Sequence, residues 1–401
     1  MIRHLTAVLL WAMTVPLPVQ GQQKVALTRP EAEFAEPFTQ VSGVRELPGG
    51  RVLVSDIRDK IVQLVDFATG AATAIGREGQ GPEEYLMPSG LYPLPDGGAL
   101  LQDFGNRRFL TIGPDGKIGK AIAPPQPPAP TEGAARGGAF LIGALIDARA
   151  ADGRGNLYFQ GLALPGGPGG EKVDSIPIMR WDRARSVDTV AWLPVTETMR
   201  PQVARSGNAM SVRIGGNRAW SSQVQWGVAA DGRIALVEPE PYRVTWVQGR
   251  GRATGPAVVT SPIRVTEADK KEYREQMSRT RPVMMTFGGP GGRTAAPPPS
   301  VSATQDDPEW PETKPVFSGR QAVLVTPEGE VFVERLRKAG DLVPVYDVFD
   351  GAGRLSRQIT LRPRSRVVGF GKGTVYVTRS DEDDLQYLER YRWPQAVSGK
   401  R

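Results

Sequence analysis

A short strand, a glycine-bearing turn and a second short strand recur six times along this chain with almost no helical pattern between them. No other feature constrains its fold as strongly. Val44 to Val54 reads V-R-E-L-P-G-G-R-V-L-V, with apolar alternation into a Pro-Gly-Gly turn and a β-branched run out of it. Gly90 to Leu101, Ala150 to Phe159, Val228 to Val237, Ala322 to Val333 and Arg366 to Val377 repeat the rhythm. Each turn carries a glycine because such turns need a residue at positive φ. A second strand pair follows each hairpin, most legibly at Arg108 to Lys117. One small four-stranded sheet cannot bury both of its faces alone. Six in succession therefore predict radial stacking: an all-β, six-bladed β-propeller of four-stranded antiparallel blades. A closed ring must pair its last blade with the start of the chain, or an edge stays open. Leu385 to Trp393, with Tyr387, Tyr391 and Trp393 on one face, reads as the last strand, and Phe38 to Val44 is its expected partner.

The spacing between turns is uneven, and insertions account for it. Ala123 to Gly138, Pro165 to Gly170 and Gly288 to Ser300 are rich in Pro, Gly and Ala and read as loops. One helix is predicted, Glu267 to Met277, with Thr266 and Asp269 as its capping box. It belongs to an insertion spanning 262–315 and reads as decoration on the propeller rim rather than as a lid.

Residues 1–21 read as a secretory leader. Arg3 supplies the charge, Leu5 to Val15 the apolar run, and Val19 and Gly21 the small residues before a cut at Gln22. That apolar run is well short of the roughly 20 residues that span a bilayer. A 22–37 extension, a propeller over 38–393 and a 394–401 tail follow, in a protein expected to be exported to the periplasm or beyond. The only His, His4, lies in the leader, and there is no Cys. The mature chain therefore has no Ser-His-Asp or Cys-His pair, no imidazole or thiolate zinc site, and no disulfide. Net charge is +7, but Arg is spread along the chain and interleaved with acids. A nucleic-acid stripe would concentrate it, so no nucleic-acid partner is expected. The protein is expected to be a monomer without a membrane span.

Leu101 to Gly116 (L-Q-D-F-G-N-R-R-F-L-T-I-G-P-D-G) resembles the NHL-type propeller repeat, and Ser55 to Asp66 carries a weaker version. Between them, Ile75 to Tyr85 reads I-G-R-E-G-Q-G-P-E-E-Y. This resembles the G-R-x-G-Q-G-P-G-E-F signature of exported bacterial six-bladed β-propeller proteins, with Glu83 in place of Gly and Tyr85 in place of Phe. The resemblance is strongest over 38–120 and continues as rhythm to residue 393. It implies the propeller fold and assigns no activity. The same glycines do not read as a phosphate cradle, because no helix follows them.

Asp56 and Asp103 occupy equivalent places in the first two blades, and Arg58 and Arg107 follow them closely. In one reading these four form part of a ring around the channel mouth that binds a ligand. The carboxylates would hold a hard cation such as Ca²⁺, or the guanidiniums would fork an anion. In the favoured reading they only fix the turns, no residue is catalytic and no cofactor is bound. Ser380 to Asp384 reads as a solvated hairpin tip. Trp181, Trp192, Trp220, Trp226 and Trp246 belong either to a sugar-stacking groove or, as favoured, to the core between blades. The functional expectation is a binding protein that recognises a small molecule, glycan or protein through one loop face. A cation-dependent lyase or hydrolase and an envelope scaffold are the alternatives.

Overall fold

The computed structural model describes residues 23–125, 147–161, 174–184, 186–196, 202–206, 209–213, 218–220, 223–279 and 307–393. The leader, Pro165 to Gly170, Gly288 to Ser300, most of Ala123 to Gly138 and the C-terminal tail lie outside them.

Six antiparallel four-stranded sheets form the ring. Blade 1 is Val41–Glu46, Val52–Asp56, Ile61–Asp66 and Ala71–Ala74. Blade 2 is Pro88–Pro93, Ala99–Asp103, Arg108–Ile112 and Ile118–Ile122. Blade 3 is Ala148–Ala151, Leu157–Gln160, Ser175–Trp181 and Val187–Pro194. Blade 4 is Gln225–Val228, Ile234–Pro239, Tyr242–Gln248 and Gly251–Thr254. Blade 5 is Val323–Val325, Val331–Glu334, Val345–Phe349 and Leu355–Leu361. Blade 6 is Ser365–Gly371, Thr374–Ser380 and Gln386–Arg392, completed by Ala32–Glu33 from the start of the chain. Each of the six hairpins read from the sequence joins the two innermost strands of a blade.

The second strands are buried on both faces, which is why they read as unbroken apolar runs rather than as alternation. In blade 1, Val52 and Val54 pack against Tyr376 and Leu388 of blade 6, while Leu53 between them packs against Leu91 and Leu101 of blade 2. The pattern continues around the ring, with one apolar cluster at each of the six blade interfaces. Trp181, Trp226 and Trp246 are spent here, fully buried between blades.

Ring closure differs from the sequence expectation. The outer strand of blade 6 comes from Ala32–Glu33, which pairs with Arg390 and Glu389. Phe38 contributes only a single bridge, to Gln386, and Val41–Glu46 is the innermost strand of blade 1. The physical reason lies in burial. Val44, and Val41 across the bulge at 41–43, pack into the apolar cluster between blades 6 and 1 as an innermost strand must, whereas an outer strand supplies little more than backbone groups. Gln23–Leu27 then adds a fifth strand, parallel to Leu355–Leu361, on blade 5. The predicted helix runs over Glu267–Arg279.

Candidate functional site

Strand direction alternates within each blade, so blade-to-blade connections share one face with the loops between second and third strands. The tight inner turns hold the opposite face. The long connections, 75–87, 123–147, 195–224 and 255–322, all start and end on the first face.

Asp56 and Asp103 lie on this side but point inward and are fully buried. Asp56 Oδ2 accepts the Thr39 and Gln40 N–H groups at 2.7 and 2.8 Å, and Oδ1 accepts those of Arg58 and Asp59 at 2.9 and 3.0 Å. Asp103 Oδ1 accepts from Leu86, Met87 and Asn106 N–H, and its Oδ2 from Asn106 Nδ2 at 2.7 Å and Arg108 Nε at 3.3 Å. Each carboxylate thus ties the incoming connection to the turn of its own blade. Arg58 and Arg107 are exposed and occupy different steps of that turn, Arg107 at φ 52°. The guanidinium beside Asp103 is that of Arg108. Asp381 caps only its own turn at the last such loop, accepting from the Asp383 and Leu385 N–H groups at 3.0 Å.

The glycine-rich connection 75–85 is an internal knot. Its donors are already engaged: Gly79 N–H bonds the Tyr85 carbonyl and Gly81 N–H bonds Glu84 Oε2. Its carbonyls are engaged too, with Gly79 accepting from Asn106 Nδ2 and Gly81 from Arg108 Nη2. Hydrogen bonds from Gly81 N–H and Arg77 hold the Glu84 carboxyl below its ordinary range, so this side chain takes the place an outside anion would need. At Gly76, with φ 69°, an added Cβ would lie 2.5 Å from the Glu83 carbonyl oxygen.

The helix is bolted down rather than hinged. Asp269 is buried and its Oδ2 accepts both N–H (2.8 Å) and Oγ1 (2.6 Å) of Thr266, the predicted capping box. Its Oδ1 meets Lys314 Nζ at 2.7 Å and the Ala339 N–H at 2.7 Å, and Glu272 accepts the Gly340 N–H at 3.0 Å. The last two donors belong to the loop between the second and third strands of blade 5. Desolvation raises the Asp269 carboxyl, but the Lys314 ammonium and the Thr266 and Ala339 donors more than reverse it, leaving it well below the ordinary range. Tyr273 packs on Trp220 and Trp310 with ring centroids 5.0 and 5.6 Å away, and those two tryptophans lie 5.7 Å apart.

Between this helix and blades 5 and 6 lies a cleft of about 760 Å³. Trp220 and Tyr273 line it alongside Arg335, Arg337, Arg364, Arg366, Glu334 and Glu382. Trp192, by contrast, stands half-exposed on the outer strand of blade 3, away from the cleft.

Arg366 also borders the channel mouth, where a second group of guanidiniums gathers that the sequence did not single out. Arg149 sits at a bulge in the innermost strand of blade 3, and bulges re-aim side chains. Its Nη2 donates to Gln225 Oε1 at 2.9 Å and to the Arg320 carbonyl at 3.1 Å, and its guanidinium lies 4.9 Å from the Trp226 ring centre. Arg320 reaches back across blade 4, pairing with Asp147 and donating to the Ala148 carbonyl at 2.9 Å. That same carbonyl accepts from Tyr92 Oη, and Arg366 Nη1 donates to Gln321 Oε1 at 2.5 Å. Desolvation lowers Arg320 and pushes Arg149 down to about 9. The available signal was a single charge inside an apolar innermost strand, A-R-A-A at 148–151.

Among the described residues, no three or more His, Cys, Asp or Glu side chains come together as a metal ion would require. Nor is any helix there long and apolar enough to cross a membrane.

No protein-family model matches the chain. No curated protein matches it in sequence. Among solved structures, a Bacteroides fragilis protein named for its expected export aligns over 93% of this chain and 99% of its own, at 11% identity and a TM-score of 0.47. A member of the DUF4221 family from Bacteroides vulgatus aligns over 90% and 96%, at 9% identity and a TM-score of 0.44. Virginiamycin B lyase from Staphylococcus aureus aligns over 90% and 98%, at 10% identity and a TM-score of 0.39.

Proposed function

We propose that this is an exported binding protein that takes a polar small molecule or glycan on the face carrying the long connections. One observation carries the reading: the cleft of about 760 Å³ between the helix and blades 5 and 6, within the range of ligand sites. Its lining pairs the aromatic side chains of Trp220 and Tyr273 with a rim of guanidiniums and carboxylates. A sugar presents the matching chemistry, with apolar C–H faces for the rings and hydroxyls for the rim. The ion pair between Lys314 and Asp269 fixes the helix beforehand, so little ordering cost falls on binding. Residues 1–21 supply the export signal, and the 75–85 motif supports kinship with exported six-bladed propellers. The same face would serve a protein partner in an envelope scaffold. A cation-dependent lyase or hydrolase would need carboxylates that Asp56 and Asp103, engaged by N–H donors, do not offer freely.

The test is calorimetric titration of the mature chain with neutral oligosaccharides of glucose, mannose and xylose, repeated on Trp220→Ala and on exposed Trp192→Ala. At least one sugar should bind the wild type and Trp192→Ala alike, and Trp220→Ala about tenfold more weakly. Equal binding by Trp220→Ala, or no binding by the wild type, would reject the cleft as the site.

A further inference from the structure

We propose that Arg149 is the anchor of an oxyanion site at the channel mouth, taking the carboxylate or phosphoryl group of a small ligand. The inference deepens the binding reading above and rests on it for the choice of face. Three observations converge on this side chain. Among the described residues only its Nη2 is engaged, by Gln225 and the Arg320 carbonyl, which leaves the Nε and Nη1 donors without a protein partner there. Nε and Nη1 point to different sides of the guanidinium, so each can give one oxygen of a carboxylate or phosphate a single charge-assisted hydrogen bond.

Secondly, Arg149 lacks the acidic partner its neighbours have. Arg320 pairs with Asp147, and Arg366 lies 3.5 Å from Glu334, whereas among the described residues no Asp or Glu pairs with Arg149. A charge placed among protein atoms without a counter-ion is costly unless something compensates it. Here desolvation has already depressed its pKa to about 9, and an oxyanion would reverse that shift. Thirdly, the group is held in place. Trp226 stacks under it, with its own Nε1 donating to Gln160 Oε1 at 3.1 Å, and the bulge fixes the direction of approach. Arg320 acts as a positioning residue, because its carbonyl orients Arg149 while its own fork is occupied.

The experiment uses the mature chain, Arg149→Gln, Arg149→Lys and the double variant Arg58→Gln/Arg107→Gln. Each is titrated at constant ionic strength with inorganic phosphate, with glucuronate and with glucose. Circular dichroism and the unfolding midpoint without ligand serve as fold controls. The wild type and the double variant should bind one of the two anions equally well, and which one distinguishes a phosphoryl from a carboxylate ligand. Arg149→Gln should bind it roughly tenfold or more weakly, the loss expected for one charge-assisted hydrogen bond. Arg149→Lys, which keeps the charge but not the fixed planar donors, should fall between them and keeps the test decisive if the glutamine variant does not fold. Undiminished anion binding in a folded Arg149→Gln, loss in the Arg58/Arg107 variant instead, or no anion binding by the wild type would overturn the site. If sugars still bind through Trp220, only the Arg149 site has failed. Anion binding without any Trp220-dependent sugar binding would reject the cleft and keep Arg149.

Discussion

Tyr85 stands where the resembling signature carries Phe, and its hydroxyl shows what the exchange achieves. It accepts the Val62 N–H at 2.9 Å and donates to the Ile75 carbonyl at 2.9 Å, joining the blade 1–2 connection to the third strand of blade 1. Tyr85→Phe fits sterically but strands a buried N–H, so urea unfolding should show a loss of about 1–3 kcal/mol. Asp103→Asn should lose a similar amount, because an amide turns an NH₂ group toward donors the carboxylate accepted. Equal midpoints for wild type and both variants would show that these bonds are replaced by water. Residues of this kind were legible in the sequence, since Asp56 and Asp103 repeat at matching places in two adjacent blades. Arg149 was not singled out, because its one local signal, a lone charge in A-R-A-A, does not say that the strand is innermost or which neighbours ring closure brings to it.

At the scale of elements, the helix was readable and its docking was not. T-E-A-D announces the cap, but the cation that neutralises Asp269 comes from Lys314 and the N–H from Ala339, both far along the chain. This makes the attachment sensitive to acid. An Asp held below its unfolded value contributes stability that is complete above that value, near 3.9, and is lost as pH falls through the folded one. The helix should therefore stay docked below pH 4 and detach only in stronger acid. Fluorescence of the Trp220–Tyr273–Trp310 cluster would follow it, and in Asp269→Asn the acid transition should vanish because the helix is already loosened at neutral pH. An acid transition unchanged in that variant would place the titration elsewhere. The N-terminal strands make a second case. Ala32–Glu33 has too few residues for a period, so the apolar Phe38 to Val44 drew the prediction instead. Cutting the chain to begin at residue 28 should leave the ring closed with a modestly lower midpoint. Beginning at residue 41 should open the interface between blades 6 and 1 and expose Tyr376 and Leu388 to proteolysis.

Across the whole molecule, hairpin rhythm and glycine placement announced the ring, because every blade repeats the same local solution. The site is different in kind: Arg149, Arg320 and Arg366 belong to separate stretches that only ring closure brings to one mouth. Closure also couples the blades energetically, since each shares an apolar cluster with both neighbours. A ligand gripping any one turn should therefore raise the unfolding temperature of the whole ring. That gives a direct measurement for the calcium reading of Asp56 and Asp103. A cation held only by the native state at a hundred times its Kd would add about 2.7 kcal/mol. The oxygens of both side chains instead face N–H groups, whose positive ends occupy the directions a cation would need. Thermal unfolding of residues 22–401 should accordingly be the same in chelator and in added Ca²⁺, with Mg²⁺ as the control for ionic strength. Asp56→Asn should unfold at a lower temperature by the same amount in all three. A rise specific to Ca²⁺ and abolished by Asp56→Asn would instead make that carboxylate a ligand, and the cation-dependent enzyme would become the better reading of this propeller.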